Sequence, residues 1–429
     1  MEFNRPPKLV HLIIALESVV LAAFLILLSP VGQQIAGSVP VSGVIGDKSG
    51  GKEGEREEQK KEFIKWVDFQ VTREAMQQAF RYDVDTYRSE IHLNWIELLA
   101  YLGARYGGDF SRYKEADMKA IADRILAGEK MEDITKDMKY YSYYLEAYTA
   151  VLGGMVGEFR IQIPESKAPD FALKEENQED GMVWVTKYGL KAFSPIAKNY
   201  PYNDYDDFGA ARSYGFKRQH LGHDMMGQVG SPVICVESGY VEAIGWNQYG
   251  GWRLGIRSFD GKRYYYYAHL RKNYPYHKSL KEGSVVQAGD VIGYLGRTGY
   301  SRTENTNNID DPHLHFGIQL IFDESQKEGN NEIWINCYEI VKFLAMNRSE
   351  TVKNQETKEY YRVYQMADPA LPGEVPMQKI PTENMEESES TAAERTGESE
   401  STAAERTGES EGAAAERTAE PESTAPEGA

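Results

Sequence analysis

Cysteine is nearly missing from this chain, with two residues in 429, too few to staple a fold. Cys235 lies in an apolar strand and Cys337 in WINCYEIV, so two separately buried thiols are expected rather than a bridge. An excess of positive charge is also missing. With 48 Lys and Arg against 66 Asp and Glu, a net charge of −18 and a pI near 5.1, the chain offers no basic footprint, and no nucleic-acid partner is expected. The motif His-Glu-x-x-His does not occur, which excludes a metal helix carrying its own glutamate base. Histidine is sparse too, eight in all, and six of these fall between His220 and His315.

Four of the six histidines, with one aspartate, form the informative constellation. His220 and Asp224 stand in HLGHD, and His313 and His315 in PHLHF. On an extended strand, residues an even number apart share a face. His220, Gly222 and Asp224 are thus expected on one face, with Gly222 adding no side chain between the ligands and His223 turned away. His313 and His315 share a face likewise, with Leu314 and Phe316 directed into a core. Imidazole nitrogen and carboxylate oxygen suit zinc, whose catalytic sites take three protein ligands and a water. One of these four candidates is then left for catalysis, and His269, in YYYYAHL, joins it. His11, His92, His223 and His277 read as structural or solvent-exposed.

These residues resemble the lysostaphin and LytM-type zinc endopeptidases, which cut peptide bonds in bacterial peptidoglycan. The resemblance covers about residues 200 to 345, with SPVICVESGYVEAIG and VVQAGDVIGYLGRTGYS as supporting context. It implies one zinc ion per catalytic domain held by His220, Asp224 and His315, with His269 and His313 assisting catalysis. Two departures stand out: the stretch SRTENTNNIDD between Gly299 and Pro312, longer than the family's usual connection, and Gly317, where an acidic residue is expected. Without a glutamate base, proton transfer falls to a histidine, whose unperturbed pKa near 6.5 suits it to take a proton from water and return it to the leaving amine. The other histidine stabilises the oxyanion. Sequence leaves the division between His269 and His313 open.

The remaining segments set the expected layout. Residues 1–30 contain LVHLIIALESVVLAAFLILLS, long enough to cross a bilayer. Arg5 and Lys8 before it favour a cytoplasmic N-terminus. A carboxylate at mid-span, Glu17, is expensive, about 2.5 to 3.5 kcal/mol for Asp on insertion scales, so either it is protonated or paired, or the segment is a signal peptide with the apolar core Val19 to Leu28. Both readings place the rest of the chain outside the cytoplasmic membrane, either tethered to it or secreted. Residues 31–60 read as a Gly-, Ser-, Lys- and Glu-rich linker.

Residues 61–160 read as a small all-α domain. LNWIELLAYLGARYGG, EADMKAIADRILAGEK and KDMKYYSYYLEAYTAVLGG have apolar residues at helical intervals, the first and third closing on Gly pairs. Their carboxylates, Asp85, Glu97 and Asp109 among them, read as solvated surface rather than a glycosidase pair. A positioning or regulatory role, with cell-wall protein partners, is the expectation for this domain. Residues 161–200 form a connecting segment with one strand in MVWVTKYG. Asp204, Asp206 and Asp207 follow in a loop read as solvated.

Residues 201–346 are expected as an all-β antiparallel sandwich or open barrel, since strands rich in Val, Ile and Tyr alternate with Gly pairs and no helix fits between 220 and 320. Residues 347–429 read as a disordered acidic tail. Its unit STAAERTGESE occurs twice, and from Glu383 onward 14 acidic residues stand against three arginines. Two functions remain: a membrane-tethered peptidoglycan endopeptidase, and a scaffold or activator of other cell-wall proteins with a silent or autoinhibited site.

Overall fold

The computed structural model describes residues 63–168, 181–213, 217–327, 329 and 331–371. The expected membrane segment, the linker and the repeats of the acidic tail lie outside the described residues. Among the described residues, no helix is long and apolar enough to cross a membrane.

Five helices come first: α1 (Arg73–Thr86), α2 (Trp95–Tyr106), α3 (Glu115–Leu126), α4 (Met131–Thr135) and α5 (Tyr141–Leu152). Side chains cap two of them, Thr72 accepting from the Ala75 N–H and Asn94 from those of Ile96 and Glu97, satisfying donors that a helix start leaves open. The two Gly pairs work differently. Gly107 ends α2 in the left-handed conformation, φ 67°, as a C-terminal glycine does. Gly153 has an ordinary φ of −58°, and Gly154 is needed because a Cβ there would fall 1.6 Å from the Glu237 carboxylate.

Seventeen strands follow among the described residues: β1 (Val156–Pro164), β2 (Met182–Leu190), β3 (Tyr202–Asn203), β4 (Ala211–Ser213), β5 (Lys217–Gln219), β6 (His223–Gly227), β7 (Pro232–Ile234), β8 (Gly239–Asn247), β9 (Gly251–Ser258), β10 (Arg263–Ala268), β11 (Val285–Val286), β12 (Val291–Tyr294), β13 (His313–Leu320), β14 (Ile333–Ile335), β15 (Thr351–Lys353), β16 (Tyr360–Arg362) and β17 (Met366–Ala367). A short helix, α6 (Tyr338–Leu344), separates β14 from β15. The main sheet has eight strands in the order β11-β8-β9-β10-β13-β6-β3, with β14 pairing the distal half of β13. All its pairings are antiparallel.

Alternation works as expected along β13. Leu314, Phe316, Ile318 and Leu320 are fully buried, beside Tyr265 and Tyr267 of β10 and Leu254 and Ile256 of β9. Each such side chain stabilises the fold by about 1.5 to 3 kcal/mol, so a one-residue slip of β13 would be prohibitive. That constraint keeps His313 and His315 on the opposite face.

The helices share one apolar cluster with this sheet. Phe343 of α6 packs on Phe80 of α1 and Trp95 of α2. Fully buried Arg263 in β10 donates to the Glu237 carboxylate and to the Ala150 carbonyl near the end of α5. The segment 161–200 is more than a connection, because β1 and β2 pair along nine residues from Val156↔Leu190 to Pro164↔Met182.

Ordered structure also continues past Met346, where the folded part was expected to end. β17 pairs with β1, and Arg362 in β16 is buried, donating to the Ala288 carbonyl at 2.8 Å and to Asp290 at 3.3 Å. The region 347–371 lacks long apolar runs, and its attachment comes from strand pairing, buried polar contacts and the single apolar anchor Met366, with Tyr360 packed beside it, which leave little trace in composition.

Candidate metal centre and catalytic cleft

The register of β6 against β13 builds half the site. His315 pairs directly with Asp224, and His313 with Met226, so Asp224, His313 and His315 project from one face of the sheet. His220 arrives differently. It precedes β6, separated from it by the bend at Leu221 and Gly222, and strand alternation across HLGHD does not describe it. The bend works because of Gly222: a Cβ there would stand 2.5 Å from both Cε1 and Nε2 of His315 and 2.9 Å from the Phe316 carbonyl oxygen.

Three ligand-type atoms converge. His220 Nε2 lies 3.1 Å from Asp224 Oδ1 and 3.0 Å from His315 Nδ1, and His315 Nδ1 lies 2.9 Å from Asp224 Oδ1. Ligand atoms about 2.0 to 2.1 Å from zinc at tetrahedral angles lie about 3.3 Å apart, so this nearly equilateral triangle fits three corners of that coordination. Among the described residues, His220, Asp224 and His315 form the one cluster of this kind.

Buttressing comes from the loop of Asp204, Asp206 and Asp207, whose carboxylates are engaged rather than solvated. His220 Nδ1 lies 3.0 Å from Asp207 Oδ1 and 3.4 Å from the Asp207 carbonyl. Arg212 in β4 donates to Asp207 and, at 3.3 Å, to Asp224 Oδ2. One guanidinium thus ties together the carboxylate behind His220 and the carboxylate in the triangle, an outer layer of the kind that orients metal ligands. Asp204 and Asp206 are also engaged, with His223 and Asn336. No local pattern marks Asp207 or Arg212, because their partners are set by how the 204–213 loop folds back on β6.

Charge in the triangle is strongly coupled. Burial raises the Asp224 carboxyl, but the His220 and His315 nitrogens outweigh it and hold the group far below the usual carboxylate range. Burial works against a charged His220, yet Asp224 and Asp207 outweigh it and the net shift is upward. His315 goes the other way, burial prevailing over Asp224.

His269 and His313 stand beside the triangle. Their rings lie 4.8 Å apart, and His313 Nε2 is 3.7 Å from Asp224 Oδ1. Nδ1 of His313 donates to the Asp311 carbonyl at 2.7 Å and Nδ1 of His269 to the Thr298 carbonyl at 2.9 Å, which leaves Nε2 as the acceptor on each neutral ring. His269 has a left-handed backbone, φ 61°, a strain on the order of 1 kcal/mol. Its N–H bond to the Gly250 carbonyl holds it there. Burial, with His313 and His315 nearby, pushes its pKa well below 6.5.

All five residues line one cleft of about 340 Å³, together with Arg212, Arg218, Tyr300 and Asp311. A second groove shares Tyr205, Met226 and Asp311 with it. The sequence pattern of peptidase family M23 matches residues 218–329.

Residues 218–329 are a peptidase family M23 domain. Over 124 residues, 29% of its length, this chain is 40% identical to the L-Ala--D-Glu endopeptidase of Bacillus subtilis, covering 36% of that protein. Over 146 residues, 34% of its length, this chain is 32% identical to lysostaphin of Staphylococcus simulans, covering 24% of that protein. The solved catalytic domain of that lysostaphin aligns with 33% of this chain and 92% of its own at 30% identity, with a TM-score of 0.26. The chain therefore spans about a third or less of the length of these curated relatives. M23 peptidases are zinc metallopeptidases, and the His-Asp-His triangle suits that ion.

Both departures from the family pattern acquire a setting. The long connection before Pro312 walls the cleft through Tyr300, Ile309, Asp310 and Asp311. At Gly317 a Cβ would stand 2.8 Å from the Trp334 ring and 3.3 Å from the Leu221 carbonyl, so the M23 domain has no room there for an acidic side chain. Of the remaining histidines described, His223 is buried on Asp204 and Tyr338, and His277 is buried beside Ser279. Cys235 and Cys337 are free, buried thiols.

Proposed function

We propose that this chain is a zinc-dependent endopeptidase that hydrolyses peptide bonds of bacterial peptidoglycan outside the cytoplasmic membrane. The observation that carries the reading is the triangle of His220, Asp224 and His315, with two further imidazoles presenting Nε2 to the same cleft. The names of the relatives, an L-Ala--D-Glu endopeptidase and lysostaphin among them, support the substrate class.

His220, Asp224 and His315 would hold the ion. A zinc ion bound there would supply Lewis acidity and a lowered pKa for water near neutral pH. His313 and His269, each with Nδ1 committed to a carbonyl, offer Nε2 to take the proton of the attacking water and pass one to the leaving amine. Once protonated, the same ring stabilises negative charge growing on the substrate carbonyl oxygen. Asp207 and Arg212 keep His220 and Asp224 in place during turnover. The apolar run within residues 1–30 anchors the chain with the peptidase domain on the outer face, where the wall lies.

The test is digestion of purified peptidoglycan by the protein, with and without a zinc chelator, followed by mass spectrometry. New amino termini that vanish with chelator and return with zinc are expected, and they name the bond. A folded, zinc-loaded protein that releases nothing would sink the enzyme reading in favour of a scaffold.

A further inference from the structure

The hairpin of β4 and β5 pairs Arg212 directly with Arg218. Directly opposed residues in an antiparallel pair share a face, and like charges there destabilise the pairing. Both arginines line the catalytic cleft. For Arg212 the repulsion is offset by Asp207 and Asp224. Arg218 has no such relief: among the described residues it makes no ion pair, and the other cleft carboxylates, Asp310 and Asp311, are not joined to it. Its Nη2 donates to the Tyr300 hydroxyl, its guanidinium lies 5.1 Å from the centre of the Tyr300 ring, and its Nε is buried without a hydrogen-bond partner. Tyr300 itself packs against His269, ring centres 5.7 Å apart. A cation is thus held on an aromatic support beside a catalytic histidine with its Nε unspent, and of the opposed pair of arginines it is the one without a carboxylate partner among the described residues.

We infer that Arg218 is the anion end of the substrate site and binds a free carboxylate on the peptide residue flanking the scissile bond. Guanidinium presents a planar fork that matches carboxylate geometry. The preferred substrate is accordingly an acidic stem peptide with an unamidated carboxyl group, and an uncharged glycine bridge lacks the group that Arg218 recognises. This inference rests on the peptidase reading for the identity of the site, and concerns which peptide occupies it.

The experiment compares two stem peptides that differ only in whether the acidic residue carries a carboxylate or a carboxamide, with pentaglycine as a third probe. Full-length protein in detergent is assayed for kcat/KM, and zinc-loaded His313→Ala protein for binding by calorimetry. The wild type is expected to prefer the carboxylate roughly ten- to a hundredfold, the range of hydrogen bonds to a charged group. Arg218→Gln should collapse that ratio, and Arg218→Lys, which keeps charge without the fork, should retain part of it. A wild-type ratio near one, or a ratio that survives in Arg218→Gln, overturns the inference. If no peptide is cleaved yet carboxylate-selective binding is present and lost with Arg218→Gln, the enzyme reading fails while the subsite stands; unselective binding removes the subsite.

Discussion

Gly222→Ala tests the closeness of packing that brings His220 and His315 together. The new methyl would stand 2.5 Å from two atoms of the His315 ring, against an ordinary contact of 3.4 to 4 Å, so about 1 Å must be recovered. Gly222 has no left-handed φ, and alanine adds no backbone strain, so the whole effect is steric. The Phe316 carbonyl, 2.9 Å from the added methyl, belongs to a residue registered against His223, which limits how far the strand can yield. The His315 ring or the 220–222 bend must move instead, and either opens a triangle whose edges are 2.9 to 3.1 Å. Metal bonds tolerate only about 0.2 Å of misplacement. Zinc affinity should fall about 10- to 100-fold, comparable to loss of an outer-layer partner, and kcat at saturating zinc by about a hundredfold. Overpacking adds about 1 to 3 kcal/mol of destabilisation, visible as a lower melting temperature. Zinc competition against a chromophoric chelator, thermal melting and peptide hydrolysis read these three effects. An alanine variant with zinc affinity within threefold of the wild type and an unshifted melting temperature would refute the reasoning.

Three further outcomes are expected. His220→Ala and Asp224→Ala should lose bound zinc and turnover together, whereas His313→Ala should keep most of its zinc while turnover collapses; metal analysis showing equal zinc loss in all three would overturn the division of roles. Asp207→Asn preserves shape but removes the charge behind His220, and zinc affinity should drop roughly 10- to 100-fold in the same competition assay, an unchanged affinity reducing Asp207 to packing. Truncation after Met346 removes β17 from β1 and Arg362 from Asp290, leaving a buried carboxylate without its cation at a cost of about 3 to 5 kcal/mol. Its melting temperature should fall well below that of a chain ending at Leu371, and equal melting would show that β15 to β17 contribute nothing.

Local spacing decided what can be read locally. Even separation placed His313 and His315 on one face of β13 and sent Leu314 and Phe316 into the core, because the two-residue period of a strand holds wherever one face is buried. The helix end at Gly107 was legible for a similar reason, since a C-terminal stop is a property of a few consecutive residues. Two cysteines in separate apolar segments were legible as two thiols.

The tertiary structure decided the rest. His220 meets His315 across 95 positions by way of a bend that strand periodicity does not describe, and Gly222 matters only because that ring lies against it. Asp207 and Arg212 read as ordinary loop charges until the loop folds onto β6 and gives each a partner. Likewise, nothing in residues 61–160 says that their apolar faces share a cluster with the sheet, and nothing in 347–371 announces strands. Motif, cap and core face follow from the chain's short-range geometry, so sequence by itself determined the chemistry this protein carries. The convergence of the ligands, their outer layer and the apolar cluster that the helices share with the sheet depend on contacts between distant segments, whose energies no local pattern encodes.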